Sequence, residues 1–421
     1  MSILIKQILL DQQIQNIYIE GNTIKTIAPE IIIHADKIIN GSKKAAVPGM
    51  TNGHTHAAMT LMRGYADDMH LMPWLHEKIW PLEANLTEDD VYWGAKLACL
   101  EMIKTGTTCM VDMYHFFNAT ARAVEEMGIR SMLTFAGFDF GQPSKAEEYK
   151  KSIKTYLKSM DNYSNRIKFA MGPHAIYSVS TNLMRWIRDF ASDNGLRIHT
   201  HLSETVGEVE DAIKQFGKRP VHYLDSIGFL GSDVSFAHCL YLNDDEIKIL
   251  GGYGCQVVHN PASNLKLASG NRFRMNDLKE AGITVCLGTD GACSGNNLDM
   301  YEAMKLASLT GKVAWNDPTL WNAKTTFEIA TAHGEQITGF KIGKIKEGYL
   351  ADISLVDLSL PEMVPNFNLI SNLVYSANGN VVDTLICDGK VLMENRHVPG
   401  EEEIMEKAEK AAFELVKRKN Q

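Results

Sequence analysis

The sequence predicts an α/β protein: a TIM-like (β/α)8 barrel carrying a small β-sandwich domain built from both chain ends. Three observations point there. Between about residues 48 and 345, short apolar runs alternate with segments of helical period. Both ends of the chain instead carry short β-branched runs separated by turn residues. Finally, histidines and acidic residues fall at the C-terminal ends of several central runs, where barrels of this kind place their chemistry. The expected division is 1–47 for the first part of the β domain, 48–345 for the barrel, and 346–421 for the rest of the β domain plus a final helix.

In chain order, Ile3-Leu4-Ile5, 14–19, 24–27 and Lys37-Ile38-Ile39 read as small strands, broken by turn signals such as Glu20-Gly21-Asn22 and Asn40-Gly41-Ser42. The expected barrel strands are 45–47, on the border with the β domain, then 107–112, 130–134, 167–171, 196–201, 234–238, 254–259 and 284–290. Helix-like segments lie between them at 89–105, 119–127, 145–159, 183–194, 206–216, 244–251 and 275–281. Strand texture returns at 351–357 and 382–391. Over 401–421 apolar Ile404, Ala408, Ala411 and Leu415 recur among Glu and Lys, the pattern of an amphipathic surface helix with a solvated charged face.

Composition narrows the class. A chain of 421 residues with 45% apolar content is globular and long enough for one large core plus an attachment. No run of eighteen apolar residues offers a membrane span, and the start turns polar too soon for a signal peptide. Seven scattered cysteines, none in a CxxC pair, read as reduced thiols of a cytoplasmic protein. A formal charge of −9 argues against a nucleic-acid surface, though not against a small neutral or zwitterionic substrate. Neither GxGxxG nor GxxxxGK[ST] appears, so dinucleotide and triphosphate binding have no support.

The chemistry gathers at strand ends. In Pro48-Gly49-Met50-Thr51-Asn52-Gly53-His54-Thr55-His56, two histidines two residues apart share one face of an extended segment and can serve one metal ion. The fifth strand ends in His199-Thr200-His201, where either histidine is a candidate ligand and spacing favours His201, nearer the strand's end. The sixth ends at His238 and the eighth at Asp290. Each has a plain alternative, a satisfied buried histidine or a turn-capping aspartate. Their convergence on one rim favours a metal centre. Three imidazoles and a carboxylate suit a zinc-like ion with a position left for water, whose pKa such an ion lowers from 15.7 to roughly 7. Glu204, three residues beyond His201, is placed to pass protons, and Asp290 to accept the proton of the attacking water.

Those motifs, with Leu202-Ser203-Glu204-Thr205, His259-Asn260-Pro261-Ala262-Ser263-Asn264, Leu287-Gly288-Thr289-Asp290-Gly291-Ala292 and Gly343-Lys344-Ile345-Lys346-Glu347-Gly348, resemble the amidohydrolase superfamily. More narrowly they resemble its 5'-methylthioadenosine/S-adenosylhomocysteine deaminase group, over essentially the whole chain. The resemblance implies one divalent metal, usually Zn2+ with Fe2+ or Mn2+ as alternatives, held by His54, His56, His201 and Asp290. It implies that His238 orients the water, Glu204 protonates the purine ring, Asp290 takes the water's proton, and ammonia leaves. Whether His238 is a weak ligand or an outer partner stays open at this level.

For the substrate, the same resemblance places Trp74 and Glu83 in a lid-like loop and helix, Glu83 on the ribose hydroxyls, and His174 and Ser294 on the rim. Glu83 can equally begin a solvated helix. One departure stands out. Relatives acting on S-adenosylhomocysteine carry an arginine shortly after the third strand, where this chain has Phe135 and Ala136; Arg130 sits too early. A carboxylate without its partner is costly to bury, so uncharged 5' groups such as methylthio, hydroxyl or hydrogen are favoured. The rival readings are a guanine or pterin deaminase, an s-triazine chlorohydrolase, and a non-catalytic metal-binding barrel. Lys168, the only lysine of the fourth strand, lies at its beginning and speaks for one metal rather than two. A homo-oligomer is compatible with the sequence, but no stretch marks an interface.

Overall fold

The computed structural model describes residues 1–270 and 272–421. Its centre is a ring of eight parallel strands hydrogen-bonded in chain order: Met50–Thr55, Thr107–Tyr114, Arg130–Gly137, Ile167–Pro173, Ile198–Leu202, Val234–His238, Gln256–His259 and Thr284–Leu287. The interior is packed rather than hollow, with Val111, Met132, Ala170, Val258 and Cys286 meeting Ile337 from a short helix.

The eighth strand returns to the first through specific contacts. The Asp290 N–H donates to the His54 carbonyl at 3.0 Å. Asn52 clasps Thr289, its carbonyl oxygen accepting from the Thr289 N–H at 3.0 Å and its amide donating to Oγ1 at 2.7 Å. Gly288 lets this seam close, since a Cβ there would come within 2.8 Å of the His54 nitrogen.

The helices expected from the 3.6-residue period appear as Glu88–Lys104, Phe117–Met127, Pro143–Ser159, Thr181–Asn194, Val206–Phe216, Asp244–Tyr253 and Met275–Glu280. Two begin with reciprocal caps, Thr87 with Asp90 and Asn243 with Glu246. Met300–Trp315 has no counterpart among the expected helices. Its apolar face is interrupted by buried Ser308, which donates to the Trp321 carbonyl, and by Gly311, against which Trp321 packs.

One strand differs from expectation. The segment expected as the first barrel strand, 45–47, lies in Lys44–Pro48, which pairs antiparallel with Ile353–Asp357 in the other sheet. The barrel strand starts only after Gly49, where the chain crosses between sheets so close to Thr108 that a Cβ would meet its hydroxyl oxygen at 2.2 Å.

The second sheet is mixed and eight-stranded. Its order is Lys390–Met393, Val382–Cys387, Ile353–Asp357, Lys44–Pro48, Ser2–Leu10, Gln13–Glu20, Thr23–Ala28, with Lys37–Asn40 beside Ser2–Leu10. Strands from the two chain ends thus meet at one seam, Ile353–Asp357 against Lys44–Pro48, over a core of Ile3, Ile5, Ile17, Ile19, Ile353 and Leu355. The final helix, Glu401–Lys419, buries Leu415 against the cluster of Trp74, Ile79 and Leu82. Among the described residues no helix is long and apolar enough to cross a membrane.

Arg130 joins the two sheets. Its guanidinium donates to both Asp352 oxygens, at 2.7 and 3.1 Å, and to Asp388 at 2.6 Å, with the Arg130 side chain 2% exposed. This explains structurally why it is absent from the rim. Removing Asp352 takes two of the three carboxylate contacts of this buried guanidinium and leaves it Asp388 alone, so Asp352→Ala is expected to cost up to about 3–5 kcal/mol in denaturant unfolding. Glu147→Ala, which breaks the exposed helical pair with Lys150, is expected to change stability by less than about 0.5 kcal/mol.

Candidate active site

Three strand ends deliver the cluster. His54 and His56 come from the first, His201 from the fifth and Asp290 from just past the eighth, and one ligand atom from each lies within 4.8 Å of the others. Left-handed backbone at Asp290 (φ 64°) and His238 (φ 73°) turns the chain sharply out of its strand, and Ser203 (φ 49°) does the same ahead of Glu204.

Each imidazole is held by its Nδ1. That of His56 donates to the Met113 carbonyl at 2.6 Å, and that of His201 to the His174 carbonyl at 2.7 Å. Because a carbonyl only accepts, the Nε2 of each neutral ring is left as a lone pair facing the cluster. His54 Nδ1 lies 2.8 Å from His199 Nε2. His199 therefore stands behind the cluster and His201 in it, as the strand position favoured.

Asp290 Oδ1 sits 3.2 Å from both His54 Nε2 and His56 Nε2, while its Oδ2 accepts from Ser263 at 2.6 Å and Ser294 at 3.3 Å. His54 Nε2 is fully buried yet has no hydrogen-bond partner. An orphaned lone pair among two further imidazole nitrogens and a carboxylate oxygen fits a divalent cation of the zinc type.

His238 stands outside this set. Its Nδ1 donates to Asn264 Oδ1 at 2.8 Å, and its Nε2 lies 3.7 Å from Glu204 Oε2. Burial holds the Glu204 carboxyl above the ordinary glutamate range, against the opposing pull of His238. A residue the sequence reading passed over fixes Glu204 in place: buried Glu208 accepts from the backbone N–H groups of Ser203 and Glu204, both at 2.8 Å. Burial pushes the Glu208 carboxyl up to about 7 despite those two donors.

The pocket above the cluster is lined by Trp74, Glu83, His174, Glu204, His238 and Ser294 among others, so every expected substrate residue reaches it. Trp74 and Glu83 are nine residues apart, about two and a half turns of α-helix, which would put them on opposite faces. The stretch Trp74–Ile79 is wound as π-helix, and that wider turn rephases the helix so that both face inward. Glu83 Oε2 lies 3.9 Å from His115 Nε2, a rim residue one position past the second strand. His174 Nδ1 bonds Ser178 Oγ at 2.9 Å, and burial lowers the ring to about 3. Ser294 spends its hydroxyl on Asp290 and the Gly291 carbonyl, which makes it a support for the carboxylate. Lys168 donates to the Thr338 carbonyl and lies over the Phe340 ring, away from the cluster.

The model of the amidohydrolase family matches residues 45–392. The chain belongs to the amidohydrolase family. Among curated amidohydrolase relatives, it is 48% identical over 403 residues to 5-methylthioadenosine/S-adenosylhomocysteine deaminase 1 of Archaeoglobus fulgidus, covering 95% of each chain. It is 47% identical over 385 residues to 5'-deoxyadenosine deaminase of Methanoregula boonei, covering 91% of this chain and 87% of that one. Among solved structures, an adenosine deaminase from Xanthomonas campestris with bound zinc superposes with a TM-score of 0.93 at 30% identity, covering 99% of this chain and 98% of that one.

A ligand that binds only the folded form stabilises it by about 2.7 kcal/mol at a hundred times its Kd. The zinc-loaded protein is therefore expected to melt above the chelator-treated one, with a gap that widens as free zinc rises. In His201→Ala the gap should shrink toward zero.

Proposed function

We propose that this amidohydrolase is a metal-dependent hydrolytic deaminase that converts an adenine nucleoside to its inosine analogue and ammonia. The observation that carries the reading is a buried carboxyl of raised pKa, Glu204, set over the three-histidine, one-aspartate cluster in a pocket that also holds Glu83. The names of the two curated relatives and of the zinc-bound neighbour support it.

His54, His56, His201 and Asp290 would hold one divalent cation, Zn2+ before Fe2+ or Mn2+, which as a Lewis acid makes water acidic enough to attack at neutral pH. Everything else falls to the protein. Asp290 takes a proton from the attacking water, its carboxylate steadied by the Ser263 and Ser294 hydroxyls. His238, tied through Nδ1 to Asn264, directs that water from its Nε2 side. Glu204, whose protonated form burial favours, donates to the ring nitrogen beside the amino-bearing carbon as the C–O bond forms. When the tetrahedral adduct collapses, the C–N bond breaks, the amino group takes the proton held by Asp290 and leaves as ammonia, and the new hydroxyl returns its proton to Glu204 as the C=O forms.

Glu83 accepts from the ribose hydroxyls, and Trp74 and His174 line the nucleoside's place. Beyond Glu83 the pocket opens between Trp80, His115, Phe138 and Phe140, with Phe138 stacked on Phe140 at 5.8 Å and Trp80 edge-on to Phe140. Neither Lys nor Arg is among the residues lining this vestibule. The arrangement favours an uncharged 5' group, hydrogen or methylthio, over the zwitterionic homocysteine tail. A cytoplasmic enzyme acting on a small molecule, without nucleic acid or membrane, fits the net charge of −9 and seven buried, unpaired cysteines.

Glu83→Gln separates this reading from a free-base deaminase or a triazine hydrolase, neither of which has a diol to hold. Losing charge-assisted hydrogen bonds of about 1.5–3 kcal/mol each should cost roughly ten- to a hundred-fold in kcat/KM on adenine nucleosides. Turnover of free bases should hardly change, and equal loss on both would defeat the ribose-binding role.

A further inference from the structure

His54 is the one histidine of the cluster whose Nδ1 does not meet a carbonyl, and the chain behind it is long. His199 Nε2 lies 2.8 Å from His54 Nδ1, His199 Nδ1 lies 2.8 Å from Ser235 Oγ, and the Ser235 hydroxyl donates to the Ile198 carbonyl at 3.3 Å. All four groups are buried, with His54 and His199 at 0% exposure. His199 and Ser235 are direct partners in the register of the fifth and sixth strands, so the sheet itself sets their spacing.

We propose that His199 and Ser235 form a directional hydrogen-bond relay that fixes the tautomer of His54 and keeps its Nε2 lone pair turned to the metal centre. The inference rests on the reading of that cluster as a metal centre.

The proposed direction takes the Ser235 hydroxyl as donor to the Ile198 carbonyl. A carbonyl oxygen only accepts, so with its single proton given there the Ser235 oxygen accepts from His199 Nδ1–H. A neutral His199 then has a bare Nε2, which accepts from His54 Nδ1–H and leaves His54 Nε2 without a proton. Geometry at the far end agrees. His54 Nε2 comes within 3.2 Å of Asp290 Oδ1 without hydrogen-bond alignment, as expected of a lone pair rather than an N–H. Run in reverse, the chain would put the proton on His54 Nε2, where a cation must bind. His199 and Ser235 touch neither substrate nor the reacting atoms; they are positioning residues. The other two imidazoles reach the same state with one carbonyl each, whereas His54, in the barrel interior, faces a side chain of the fifth strand across the barrel and needs two more links.

The test is zinc affinity of the whole protein, measured by competition with a chromophoric chelator, alongside the melting temperature of the metal-free form. Ser235→Ala removes the acceptor that orients His199 and should weaken zinc binding by about ten-fold or more, within the 10–100-fold range for outer partners of metal ligands. The metal-free form should melt close to wild type. Ser235→Thr, which keeps the hydroxyl, should bind within about three-fold of wild type. His199→Phe should lose at least as much affinity as Ser235→Ala; should it fail to fold, the serine pair decides alone.

Wild-type affinity in Ser235→Ala overturns the relay and leaves the metal centre standing. An affinity loss matched by destabilisation of the metal-free form, and not restored by threonine, overturns it in favour of packing. Wild-type protein that binds no zinc overturns the centre and the relay together.

Discussion

The hydrogen bond from the Asp290 N–H to the His54 carbonyl, 3.0 Å long, is where the barrel closes and where the site is assembled. One peptide group of the eighth strand's end and one of the first bring a carboxylate and two imidazoles together. The cluster is thus a consequence of ring closure rather than an addition to it. The Asn52–Thr289 clasp and the missing side chain at Gly288 serve the same seam. Without that approach, Asp290 Oδ1 could not stand 3.2 Å from two imidazole nitrogens.

Burial sets the second constraint. Groups that must stay neutral or hold a proton lie inside the barrel mouth, where the charged form of an isolated acid or imidazole is disfavoured. Burial favours the protonated form of Glu204 for that reason, and the loop carrying it is pinned by Glu208 across two backbone donors. Orientation comes from hydrogen bonds whose direction is forced, carbonyls behind His56 and His201 and a serine behind His199. Above the cluster, the pocket wall includes Trp74 and Glu83, which a stretch of π-helix turns to the same side.

Much of this was legible in the sequence because strand ends carry their chemistry at fixed spacing. Period two put His54 with His56, the alternation of runs set the barrel, and position along the strand favoured His201 over His199. What stayed hidden depends on contacts between strands or on altered helical winding. The role of His199 needs its register partner Ser235, which lies 36 residues away. Glu208 lies within the expected helix 206–216 with nothing in the sequence to set it apart, and its role rests on the turn at Ser203 that brings two backbone N–H groups to its carboxylate. The segment 45–47 reads as a barrel strand by composition, and only its pairing with Ile353–Asp357 assigns it to the other sheet. The inward turn of both Trp74 and Glu83 contradicts simple helical spacing and could not be counted off the chain.

The central claim is that water, made nucleophilic at this cluster, replaces the amino group of an adenine ring. Zinc-loaded protein incubated with 5'-deoxyadenosine in 18O-labelled water tests it directly, by mass spectrometry of the purine product and assay of released ammonia. The account predicts one labelled oxygen on the former amino-bearing carbon and one ammonia per turnover. It is contradicted by a product whose new oxygen is unlabelled, or by the absence of ammonia from every adenine nucleoside tried.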